Sequence, residues 1–175
     1  MDHGDLQPEV TAGERHGHRP VGDDAVSGIP SFVYVSYIHA TPEQVWAALT
    51  DPEITARYWW HRNVSDWHVG SRWEHLATTD GAVHNAGQVL ESVRPKRLAY
   101  TWQNWFHPDT PDSTVSFDIE EAAGAVKLTV THADLPNTEA RGDFAEGWSA
   151  VVSSLKSLLE TGKPIDLSSF LPEDR

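Results

Sequence analysis

The sequence predicts an α+β domain: an antiparallel sheet of about six or seven strands wrapped on one long C-terminal helix, with two short helices after the first strand. Three observations carry that prediction. Two Pro-bearing helix starts, "TPEQ" at 41–44 and "DPE" at 51–53, follow a single β-branched run. Between 64 and 134, apolar side chains recur at every second position, interrupted by turn residues. Beyond Asn137 the apolar spacing changes to that of a helix, which Gly162 and Pro164 terminate.

Taken in order, residues 1–30 are rich in Gly, Asp, His and Pro without an apolar period, and read as a disordered leader. Its Met1-Asp2-His3 start and its "HGHRP" at 16–20 read as incidental, solvated histidines. "FVYVSYIHA", 32–40, is a strand. Thr41 and Gln44 form a capping box around Pro42, and Val45, Trp46 and Leu49 give that helix its apolar stripe. Asp51 and Pro52 start a second short helix almost without a break.

Turn signals at Val69-Gly70-Ser71, Asp80-Gly81, Arg94-Pro95-Lys96, 108–112 and Ala123-Gly124 then divide the strands. One face collects Leu98, Tyr100 and Trp102, then Val115, Phe117 and Ile119, then Val126, Leu128, Val130 and His132. The other collects Thr101, Ser116, Asp118, Lys127, Thr129 and Thr131, so one side of the sheet is wet and the other covered. Gln88 and Glu91 fall on opposite faces of their strand, and Gly87 marks a close backbone approach. The cover is the last helix, capped by Asn137 or Thr138, with Phe144, Trp148, Val151 or Val152, Leu155 and Leu159 at helical spacing. The folded unit is 31–162, and 163–175 reads as a short tail.

Composition removes several function classes. The chain has 175 residues and a formal net charge of −13, which repels phosphate backbones and anionic headgroups. Nucleic-acid and membrane partners are therefore not expected. The chain has no apolar run long enough to span a bilayer, no basic-then-apolar start and no cysteine, and a cytoplasmic protein is expected. A metal is not expected either. His61, His68 and His75 fall on a helix–loop stretch, a strand and another strand, with Gly70 breaking any shared helical face. Neither a nucleophile elbow nor a cofactor motif is present.

The segment "RYWWHRNVSDWHVGSRWEH", 57–75, holds four of the eight tryptophans. A fully buried Trp hides roughly 150–250 Å², worth about 4–6 kcal/mol as an upper bound, but also needs an acceptor for its N–H. Leu or Ile would fill a core without that demand, so the crowding favours the rigid apolar wall of a cavity. The expected wall comprises Trp73, Tyr100, Trp102, Phe117, Leu128 and Val130 from the sheet, and Phe144 and Trp148 from the last helix. Trp46 and Trp59 or Trp60 close one end. Two inward polar groups, His75 and His132, are either satisfied core histidines or anchors for a bound hydroxyl or carbonyl. "NWFHPDTPDS", 104–113, presents Trp105 and Phe106 as the lip of the cavity or as a sticky patch.

Strand, two short helices, antiparallel strands and a long C-terminal helix is the order of the helix-grip fold. "TPEQVWAALTDPE", Trp59-Trp60, "VGSRWE", "GQVLESVRPKRLAYTW", "VSFDIEE", "VKLTVTHADLP" and "GWSAVVSSLKSLLE" resemble, more narrowly, the activator-of-heat-shock-protein-90-ATPase-like branch of the START-like (SRPBCC) superfamily. The resemblance covers roughly residues 32–161. It implies the fold, and a scaffold that serves carriers, polyketide cyclases and dehydratases, and interaction modules alike. The preferred expectation is a non-catalytic domain holding a small hydrophobic, aromatic or acyl ligand between sheet and helix, without cofactor. One alternative is a cyclase- or dehydratase-like enzyme with His132 or His75 moving protons. The other is a chaperone-activating interaction module using Trp105 and Phe106. A homodimer or a chaperone partner fits the same resemblance.

Overall fold

A computed structural model describes residues 31–103 and 109–166. Seven antiparallel strands form one sheet in the order β1-β7-β6-β5-β4-β3-β2. They are β1 (Phe32–Ile38), β2 (His61–Val64), β3 (Arg72–Ala77), β4 (Val83–Val93), β5 (Arg97–Trp102), β6 (Ser113–Ala122) and β7 (Ala125–Ala133). Between β1 and β2 come α1 (Pro42–Thr50) and α2 (Pro52–Trp59), and α3 (Thr138–Thr161) closes the chain. This is the helix-grip arrangement that the order of sequence signals implies. No helix among the described residues is long and apolar enough to cross a membrane.

The caps act as their residue types require. Gln44 N–H donates to Thr41 Oγ1 at 3.2 Å, and Thr41 N–H donates to Gln44 Oε1 at 2.8 Å. Asp51 Oδ1 accepts from the Glu53 and Ile54 amides, and Asn137, not Thr138, caps α3. Gly162, at φ +78°, ends α3 in the left-handed conformation.

Alternation places the predicted apolar series of β5, β6 and β7 on the covered face, where α3 packs with Trp148, Val152, Leu155 and Leu158 buried. Of the two candidates on α3, Val152 faces the core and Val151 is half-buried. The expected opposition of Gln88 and Glu91 is corrected. A bulge between Val89 and Glu91 inserts Leu90, so both polar side chains emerge on the exposed face while Val89 stays inside.

The close approach at Gly87 is confirmed in detail. Trp73 lies opposite Gly87 and reaches across it, its indole N–H donating to Thr101 O at 2.8 Å. A Cβ on Gly87 would stand 1.9 Å from that oxygen and 2.6 Å from Trp73 Nε1. Only a residue without a side chain permits the crossing.

Candidate functional site

The site begins where α2 ends. Trp60 turns the chain in the left-handed region, at φ +55°, a rare conformation for so bulky a residue. That turn leaves Trp59 inside and starts β2, a four-residue strand paired with β3 in the register Asn63 to His75. Asn63 is buried and held on three sides. Its N–H donates to Thr55 Oγ1 at 3.0 Å, its Nδ2 reaches Leu49 O at 3.5 Å, and its Oδ1 stands 2.6 Å from His75 Nδ1.

These contacts fix hydrogen positions. The Leu49 carbonyl needs the amide nitrogen of Asn63 facing it, so the amide oxygen faces His75. His75 Nδ1 therefore carries the proton and donates, and Nε2 keeps its lone pair. Burial, reinforced by His61 and His84, holds His75 well below the ordinary imidazole range, so the ring is neutral. Nε2 has no hydrogen-bond partner among the described residues. Because no sealed side-chain nitrogen or oxygen among them lacks a partner, Nε2 is an atom that still reaches the surface.

Aromatic rings surround this imidazole. Trp59 meets it edge-on with centroids 4.8 Å apart, Trp102 lies at 5.6 Å and Trp73 at 6.2 Å. Trp59 and Trp102 are nearly parallel, 15° apart in plane with centroids separated by 6.3 Å, and both touch Trp148. His61 stacks on His75 with centroids 3.9 Å apart. His61 Nδ1 donates to Trp59 O at 2.9 Å, leaving Nε2 to accept from His84 Nδ1 at 3.0 Å. Burial and the nearby His84 lower the His61 pKa, although its bond to Trp59 O works the other way.

His132 has no free nitrogen. Trp148 Nε1 donates to its Nδ1 at 3.1 Å, so its proton sits on Nε2, 2.8 Å from Ser113 Oγ. Ser113 Oγ in turn donates to Trp102 O at 3.2 Å. Burial alone pushes the His132 pKa from the usual 6.5 down to about 3. Between its two readings, His132 takes the structural one: a neutral core histidine with both ring nitrogens bonded inside the fold.

The predicted wall residues thus divide. Trp73, Leu128, Val130 and His132 have no exposed surface, and Tyr100 and Phe117 have 1% each. Trp46 and Trp148 are also buried, and Trp46 makes no ring contact with the others among the described residues. Trp60 is half-buried and makes no ring contact with the cluster among the described residues. Trp102 and Phe144 are half-buried, with centroids 6.2 Å apart, while Trp59 and His75 keep 7% and 5% of their surface exposed, little more than Trp46 or Trp148. Trp105 and Phe106 lie outside the described residues. The three described surface hollows lie elsewhere, on the outer face or rim of the sheet, and share no residue with the cluster.

Asn63, His61, His84 and Ser113 are the participants that sequence reasoning missed. "HRNV" has no alternation to announce a strand, and only its register with β3 reveals Asn63. The placement of His61 and His68 is also corrected: His61 opens β2, while His68 is exposed in the connection to β3 beside Asp66. No group of three or more potential metal ligands converges among the described residues.

Comparison with known proteins follows the same lines. The model of the family "Activator of Hsp90 ATPase homolog 1-like protein" matches residues 39–160. No curated protein matches the chain. Among solved structures, protein MLL2253 from Mesorhizobium loti is 27% identical over 75% of this chain and 97% of its own, with a TM-score of 0.66. The Aha1 dimer from Colwellia psychrerythraea is 21% identical over 77% and 98%, with a TM-score of 0.65. CalU16 from Micromonospora echinospora is 22% identical over 75% and 77%, with a TM-score of 0.61.

Proposed function

The chain belongs to the activator of Hsp90 ATPase homolog 1-like family, and from that premise we propose that its START-like domain, residues 31–162, binds a small, mainly apolar aromatic ligand without transforming it. The ligand lies between sheet and C-terminal helix at the end where the half-buried Trp102 and Phe144 lead in to Trp59 and His75. Trp73 and Trp148 back those rings, and Tyr100 and Phe117 pack behind them in turn.

One observation carries this reading: His75, only 5% exposed, has one ring nitrogen bonded to Asn63 and the other, at the surface beside indole rings, without a partner among the described residues. A surface-reaching acceptor set among apolar rings is the kind of single placed polar group by which ligand sites orient what they bind. Flat aromatic compounds should raise the melting temperature and perturb tryptophan emission in the same concentration range. At a hundredfold excess over Kd the stabilisation is about 2.7 kcal/mol. A broad hydrophobic panel that moves neither signal would overturn the proposal.

The Asn63–His75 pair favours one further reading, acid–base catalysis of the cyclase or dehydratase type. An imidazole whose far nitrogen is held by an oriented partner is the arrangement a general base requires. The rings around Nε2 supply no second acid, which is why binding stands first. Consumption of a bound compound, lost in His75→Phe, would reverse that order.

A further inference from the structure

We propose that His75 sets the polarity of the site: its ligand is a neutral, planar aromatic compound that donates a hydrogen bond, a phenol or enol in preference to its ether or to a carboxylate. This rests on the ligand-binding reading above and adds to it the chemical class.

The inference follows from a chain of fixed orientations. Leu49 O holds the Asn63 amide, and the amide holds the Nδ1 proton of His75. Nε2 is then an acceptor and cannot become a donor without a second proton. Two features oppose that proton. The ring is buried, and one imidazole sits against it with another behind: His61 stacks face to face, and His84 is hydrogen-bonded to His61. A cationic imidazole there would stand among apolar rings with no carboxylate in contact among the described residues. Asn63 contributes only a neutral oxygen, and the carboxylate next in sequence, Glu74, is paired with Arg72.

A ligand hydroxyl answers the lone pair. An ether oxygen or a carboxylate meets it acceptor to acceptor, and a carboxylate also meets a protein of net charge −13. The near-parallel faces of Trp59 and Trp102 suit a flat ring beside that contact.

The test uses three compounds of one shape with the full chain at pH 7.5: 2-naphthol, 2-methoxynaphthalene and 2-naphthoate, titrated calorimetrically. We expect 2-naphthol to bind at least about tenfold more tightly than the ether, and the naphthoate to bind most weakly. In His75→Phe, checked for native circular dichroism, naphthol and ether should become equal. The wild-type series stands without that variant. Equal wild-type affinities for naphthol and ether, or a preference for the naphthoate, overturn the polarity inference while leaving a binding site. Absence of binding by all three overturns the binding reading and this inference together.

Discussion

His75 and His132 flank the same indole, Trp102, at centroid distances of 5.6 and 6.0 Å, yet they are held in opposite tautomers. At His132 both nitrogens are used within the fold, one by Trp148 and one by Ser113. At His75 one nitrogen is fixed by Asn63 and the other has no partner among the described residues. Burial alone does not separate them, since both are neutral and nearly inaccessible. The difference lies in hydrogen-bond completeness, which makes one end of the cluster structure and the other a site.

The largest effect that tests this contrast is truncation. His132→Ala removes a packed ring and strands the Trp148 N–H in a closed interior, so a loss of about 3–5 kcal/mol is expected. His75→Ala should cost less, about 1–2 kcal/mol, because water can reach the Asn63 oxygen that it exposes. Urea unfolding at pH 7.5 measures both. Equal losses would break the comparison.

Acid gives the next effect. The His132 pKa is about 3 in the fold and 6.5 when the chain unfolds, so the unfolded state takes up the proton first. Its contribution is complete above about pH 6.5 and is lost as pH falls toward about 3, at about 1.4 kcal/mol per pH unit. His75 is shifted in the same direction and adds to the loss. In His132→Phe the stability should therefore fall less steeply with acid than in wild type, which urea unfolding at several pH values would show. An unchanged slope would mean that His132 is protonated without unfolding.

The sheet and the ring cluster were legible in the sequence to different depths, for a physical reason. Alternation over β5–β7 reports which face is covered, because burial there extends along whole strands. It thereby names Trp102 and His132 as inward, and the same period in β3 puts His75 on the face of Trp73. It does not report which inward polar group is satisfied. That depends on single partners far away in sequence, Asn63 for His75 and Ser113 with Trp148 for His132. The Leu90 bulge escaped for a related reason, since an extra residue preserves composition while reversing the face of everything after it.

The smallest effect concerns the outer layer of the open end. His84 is exposed and, among the described residues, touches the site through His61 alone, so His84→Ala should change stability by less than about 0.5 kcal/mol. Its electrostatic influence reaches further than its packing. His84 helps to lower the pKa of both His61 and His75, and removing it should raise both. The rise should be larger at His61, which contacts His84 directly, and smaller at His75, where burial dominates. Imidazole resonances followed by NMR between pH 4 and 8 separate the two rings. A rise at His75 large enough to protonate it near neutral pH would turn its acceptor nitrogen into a donor and would reveal His84 as the residue that keeps the open end different from the closed one.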